Sequence, residues 1–79
     1  MTVFIELHRV AWRSSYAFEK GDMNLINVDH IANITPHKEA SCPDLNGVKI
    51  YFTNAHSVVF IESYEMVKEK LWYFFEKNS

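Results

Sequence analysis

Apolar residues fall at every second position in residues 2–9, with Val3, Ile5 and Leu7 on one side and Glu6 and His8 on the other. That is the period of a half-buried strand. Phe4 interrupts the polar side, so that side needs a cover, supplied by another part of the chain or by a neighbouring subunit. Residues 23–27 and 31–35 read as two further strands around the bend Asn24-Leu25-Ile26-Asn27-Val28-Asp29-His30-Ile31. Asn27 and Asp29 can each bond a side-chain oxygen to a backbone N–H one or two residues on, which turns the chain. Leu25, Ile26 and Ile31 are expected to anchor both sides of that turn.

Thr35-Pro36 is predicted to end the third strand, because proline lacks the ladder donor. Residues 36–47 then read as a polar surface loop with turn signals at Pro43-Asp44 and Asn46-Gly47. Residues 48–53 alternate again, and residues 57–61 are a nearly continuous apolar run suited to a strand covered on both faces. Asn54-Ala55-His56 joins the two as a tight hairpin connection. Ser63 can cap a helix over about residues 63–77, with Glu65 in its first turn where negative charge meets the helix dipole. Tyr64, Val67, Leu71, Phe74 and Phe75 gather in one stripe that can pack on a sheet. Met66 and Tyr73 lie nearly opposite it, and Trp72 projects beside Glu65, Glu69 and Glu76.

The pattern predicts one α+β domain over residues 1–79. Its strands lie within residues 2–62 and form a small curled antiparallel β-sheet of about five strands, barrel-like, closed by the one carboxy-terminal helix. A domain of 79 residues buries only about 60 to 65% of its unfolded surface. Proteins this small often add disulfides, a metal or a partner subunit. Cys42 is the only cysteine, so an intrachain disulfide is excluded; it reads as a spectator loop thiol and suits a reducing cytosol. His8, His30, His37 and His56 lack the spacings that gather metal ligands, and no metal or cofactor is expected. The formal net charge of −2 argues against duplex nucleic acid, whose affinity comes largely from Lys and Arg on phosphates. Neither a membrane span nor a signal peptide is indicated, so the expected location is the cytoplasm.

Residues 10–21 differ in kind and look like a hairpin tip or ordered excursion, with a turn at Gly21-Asp22. Arg9 and Arg13 are the only arginines, and Trp12 lies between them. Arg9, Trp12, Arg13, Ser14 and Tyr16 together offer guanidinium forks, hydroxyl donors and rings that stack on a base. Solvated arginines on an exposed hairpin explain the same residues.

The order of parts resembles the FlbD-like small proteins, which occur in swarming motility and flagellar operons and also outside them. The matching residues are Phe4-Ile5-Glu6-Leu7, Leu25-Ile26-Asn27-Val28-Asp29-His30-Ile31, Gly47-Val48-Lys49-Ile50 and Glu62-Ser63-Tyr64-Glu65. The resemblance implies a compact β-rich module with a terminal helix and no enzyme chemistry. Three features depart from it. Residues 12–21 look inserted, and the helix ends in Trp72-Tyr73-Phe74-Phe75, heavier than a lid needs. Ala55 stands where the family's tight turn ends in glycine. Because alanine at positive φ costs roughly 1 kcal/mol, a different turn type is expected there.

Three functions follow. The first is a non-enzymatic homo-oligomeric binding protein, an inhibitor or adaptor of an unidentified host protein, with Phe4, Met66, Trp72 and Tyr73 at its oligomer or partner interface. The second is an oligomer that sequesters a small anion such as a nucleotide signal, as some phage-encoded counter-defence proteins do, using the arginine arm. Binding of single-stranded nucleic acid is third, because the aromatics exist and a basic groove does not. Catalysis is not expected: Asp29-His30 resembles a dyad, but neighbours in an extended segment point to opposite faces.

Overall fold

The computed structural model describes residues 3–77, with side chains described up to Tyr73 at the carboxy-terminal end. Its elements are β1 (Phe4–Ser14), β2 (Ala17–Asn27), a single 3-10 turn (Val28–His30), β3 (Ile31–Glu39), β4 (Cys42–Phe52), β5 (Ser57–Phe60) and α1 (Tyr64–Lys77). The five strands form one antiparallel sheet in the order β2-β1-β5-β4-β3, with α1 packed on it. Two long hairpins, β1–β2 and β3–β4, are thus joined by the short β5. β5 pairs with β4 from Val48↔Phe60 to Tyr51↔Ser57, and with β1 through Arg9↔Phe60.

Leu7, Ile26, Val28, Val48, Ile50 and Phe60 meet Val67 and Leu71 of α1 in one core. Burying each of these side chains contributes roughly 1.5–3 kcal/mol. The expected helix stripe is seen in Tyr64, Val67 and Leu71; the side chains of Phe74 and Phe75 lie outside the described residues, as do Thr2 and the side chain of Glu76. Ser63 caps the helix as expected, its Oγ accepting the Met66 N–H at 3.2 Å. The Asn27 bend also forms as expected, with the Asn27 side chain accepting the Asp29 N–H at 3.0 Å. It closes a 3-10 turn rather than a bare bend, so Asp29 and His30 are not in an extended segment; both are exposed.

Several expectations give way to the structure. Barrel-like closure does not occur: β2 and β3 are the two edges of an open sheet, although they follow one another in the chain. The link between them satisfies its backbone elsewhere. The Val28 N–H donates to the Val3 carbonyl at 3.0 Å, and the Thr53 N–H to the His30 carbonyl at 2.9 Å. Leu25 does not anchor the bend, because pairing with Glu6 puts it on the outer face, 60% exposed. Val28, 2% exposed, takes that role.

Residues 36–47 are not a surface loop. β3 runs through Pro36 to Glu39 because it is an edge strand, where a missing N–H can face the open side. β4 begins at Cys42, and both Cys42 and Leu45 are buried, so Cys42 is a strand residue and not a loop thiol. Residues 43–45 bulge out of register between the pairs Lys38↔Asn46 and Glu39↔Cys42. Gly47 marks close strand approach rather than a turn: a Cβ there would stand 2.4 Å from the Phe60 carbonyl oxygen.

Gly21-Asp22 is likewise not a turn. Between the pairs His8↔Met23 and Val10↔Lys20, both residues oppose Arg9, a bulge inside β2. The chain reverses instead at Ser15-Tyr16, between Ser14↔Ala17. Ala55 adopts a glycine-like conformation with φ of 72°, the strain that a different turn type was expected to avoid. The Ala55 N–H donates to the Phe52 carbonyl at 3.1 Å and the Phe52 N–H to the His56 carbonyl at 2.8 Å, which hold the strained residue in place.

Candidate interaction surfaces

The residues expected at an interface separate onto two faces. Strand alternation turns Ile5 towards α1 and Phe4 away from it. Ile5 joins Met66, Glu69, Lys70, Trp72 and Tyr73 in an open groove of about 560 Å³ beside the helix. Met66, Trp72 and Tyr73 are 46, 66 and 63% exposed. Phe4 instead shares the outer face of the β1–β2 hairpin with Leu25 and Met23, which pair with Glu6 and His8. These three apolar side chains are all at least half exposed.

On the arm, Arg9, Trp12 and Arg13 are each held by a neighbouring side chain of the hairpin. Arg13 donates from Nε and Nη2 to Glu19 Oε2, at 2.9 and 2.7 Å. Trp12 meets Phe18 edge to face, with ring centroids 6.2 Å apart. Phe18 and Glu19 are neighbours in β2, so the indole and the Arg13 guanidinium lie on opposite faces. Arg9 Nε donates to Asn24 Oδ1 at 2.9 Å. At the tip, Ser14 Oγ accepts the Tyr16 N–H at 3.3 Å, and the Tyr16 ring is left exposed.

One polar junction has no counterpart in the sequence reading. Past the end of β5, the Ile61 N–H donates to the His8 carbonyl at 2.8 Å, and the carboxylate of Glu62 then takes over as acceptor. Its Oε1 accepts the His8 backbone N–H and its Oε2 meets His8 Nδ1, both at 2.8 Å. Burial pushes the Glu62 carboxyl up, but the hydrogen bonds from the His8 ring and backbone outweigh it and hold it below its ordinary value. A glutamate directly after an apolar run, 54 residues from its partner, carries no local signal for such a pair. The helix groove was more accessible to sequence reasoning, since Met66, Glu69, Lys70 and Tyr73 follow i, i+3, i+4, i+7 spacing.

Among the described residues, no three His, Cys, Asp or Glu side chains gather as a metal site, and no helix is long and apolar enough to cross a membrane. No family model, curated protein or solved structure matches the chain.

Proposed function

We propose that this is a non-enzymatic cytoplasmic binding protein that works as a homo-oligomer, serving as an inhibitor or adaptor through protein–protein contacts. The observation that carries the reading is the helix groove. Met66, Trp72 and Tyr73 are large, exposed and gathered in one place over Ile5, while α1 already covers the core with Val67 and Leu71. Contiguous apolar surface of this kind marks interaction sites, and Met, Trp and Tyr are the side chains enriched at interface cores. The FlbD-like kinship belongs to the same proposal, as a small β-rich scaffold adapted to binding.

The nucleotide-sequestering reading draws less support. Arg13 already gives two of its N–H groups to Glu19 and Arg9 one to Asn24, so a phosphate competes with these partners for the guanidinium forks. Native mass spectrometry of the purified protein tests both readings. A multimer that Tyr73→Asp converts to smaller species supports the groove as contact surface. A strict monomer at high micromolar concentration overturns self-association, and a multimer that carries and releases a nucleotide-sized mass replaces the first reading with the second.

A further inference from the structure

Resting on that reading of a self-associating chain, we infer that the occupant of the groove is the α1 helix of a second copy, packed antiparallel about a two-fold axis that passes between Glu69 and Lys70. The exposed stripe runs Met66, Glu69, Lys70, Tyr73, an order that is complementary to its own reversal. Antiparallel packing on that axis sets Met66 against Tyr73 of the second copy and Glu69 against its Lys70, and symmetry repeats both contacts. Two crossed ion pairs then flank two thioether–aromatic contacts, each of a favourable type. Parallel packing instead sets Glu69 against Glu69 and Lys70 against Lys70, so the charge order itself selects the direction. Ile5 and Trp72 border the same groove and widen the contact beyond one helix. An isologous contact of this kind closes at two copies and leaves no unsatisfied copy of the patch.

Charge exchange at the two central positions tests the arrangement without touching the core, because both side chains are exposed. The wild type, Glu69→Lys, Lys70→Glu, the double variant and an equimolar mixture of the two single variants are compared by sedimentation velocity, with far-UV circular dichroism to verify that the helix is retained. The wild type is expected to be dimeric, and each single variant to dimerise at least about tenfold more weakly, because it sets like charges together at both symmetric contacts. The double variant restores opposite charges and dimerises like the wild type. The mixture forms a one-to-one heterodimer, since the two cationic positions of one variant face the two anionic positions of the other. A monomeric wild type overturns self-association altogether. A multimeric wild type with unaffected single variants overturns the helix pairing alone, and single variants that dissociate without rescue in the double variant or the mixture overturn the antiparallel register.

Discussion

The two long hairpins have similar strand lengths and differ in what holds them. Beyond the core, β3–β4 buries Cys42 and Leu45 in its distal part, whereas no residue between Leu7 and Ile26 of β1–β2 is buried. The far end of β1–β2 is an ordered ladder supported by cross-strand pairs, Trp12 with Phe18 and Arg13 with Glu19. Such pairs contribute about 0.2–1 kcal/mol each. Its tip leans on the other hairpin, where Ser41 Oγ donates to the Ser15 carbonyl at 2.9 Å and the Cys42 thiol lies 3.6 Å from the Tyr16 carbonyl. Regular secondary structure therefore covers two levels of stability, and the arm is the part expected to open first.

Phe60 offers the strongest way to break the comparison. It is 1% exposed and sits where β5 joins the hairpins, paired with Arg9 on one side and Val48 on the other. Phe60→Ala is expected to cost about 3–5 kcal/mol, a large share of the stability of a small domain, and to weaken both hairpins together. Urea unfolding checks this. A loss below about 1 kcal/mol, on the same scale as a surface substitution, means that the hairpins do not depend on a shared core.

Glu62 sharpens the same junction through pH. Its folded-state carboxyl lies below its ordinary value near 4.5, so the unfolded chain binds protons more readily. The pair with His8 therefore contributes in full above about pH 4.5, and the contribution is lost as pH falls through the lowered folded value. Stability measured between about pH 3 and 6 should decline towards acid more steeply in the wild type than in Glu62→Gln. Equal slopes in the two proteins rule out Glu62 as the pin between β1 and the end of β5.

What the sequence revealed of this architecture follows from how local each signal is. The strand period of Val3, Ile5 and Leu7, the Asn27 bend and the Ser63 cap each act within a few residues, and each is seen in the structure. Local pattern is misleading where a polar or turn-forming residue is held by something distant. Gly21 and Gly47 resemble turn glycines in the sequence, yet serve close approach to Arg9 and Phe60. Pro36 resembles a strand end but lies in an edge strand. On the candidate surface, Met66, Trp72 and Tyr73 were legible from helical spacing. Phe4 belongs to the other, strand face, because its neighbour Ile5 is the one that strand alternation turns towards the helix.

Ala55 offers a smaller and opposite test. Holding alanine in the left-handed region costs roughly 1–2 kcal/mol, while glycine loses about 0.5–1 kcal/mol more conformational freedom on folding. With φ of 72° at this position, Ala55→Gly should stabilise the protein by roughly 0.5–1 kcal/mol, read as a higher urea midpoint at unchanged slope. Destabilisation implies that the methyl group makes a contact worth more than the backbone strain.

The weakest expected effect lies on the arm itself and gives the comparison its finest test. The Arg13 and Glu19 side chains are 69 and 49% exposed, so water screens their attraction and competes for both partners. A double-mutant cycle of Arg13→Ala and Glu19→Ala should return a coupling below about 0.5 kcal/mol in global stability. Amide exchange should respond more clearly than the urea midpoint, because the arm can open without the core. Protons of residues 10–20 are expected to exchange faster in either single variant, while those around Val48 and Phe60 keep the wild-type rate. If core amides accelerate by the same factor, the arm and the core unfold as one unit, and the tip contacts of Ser41 and Cys42 couple the two hairpins more strongly than their number suggests.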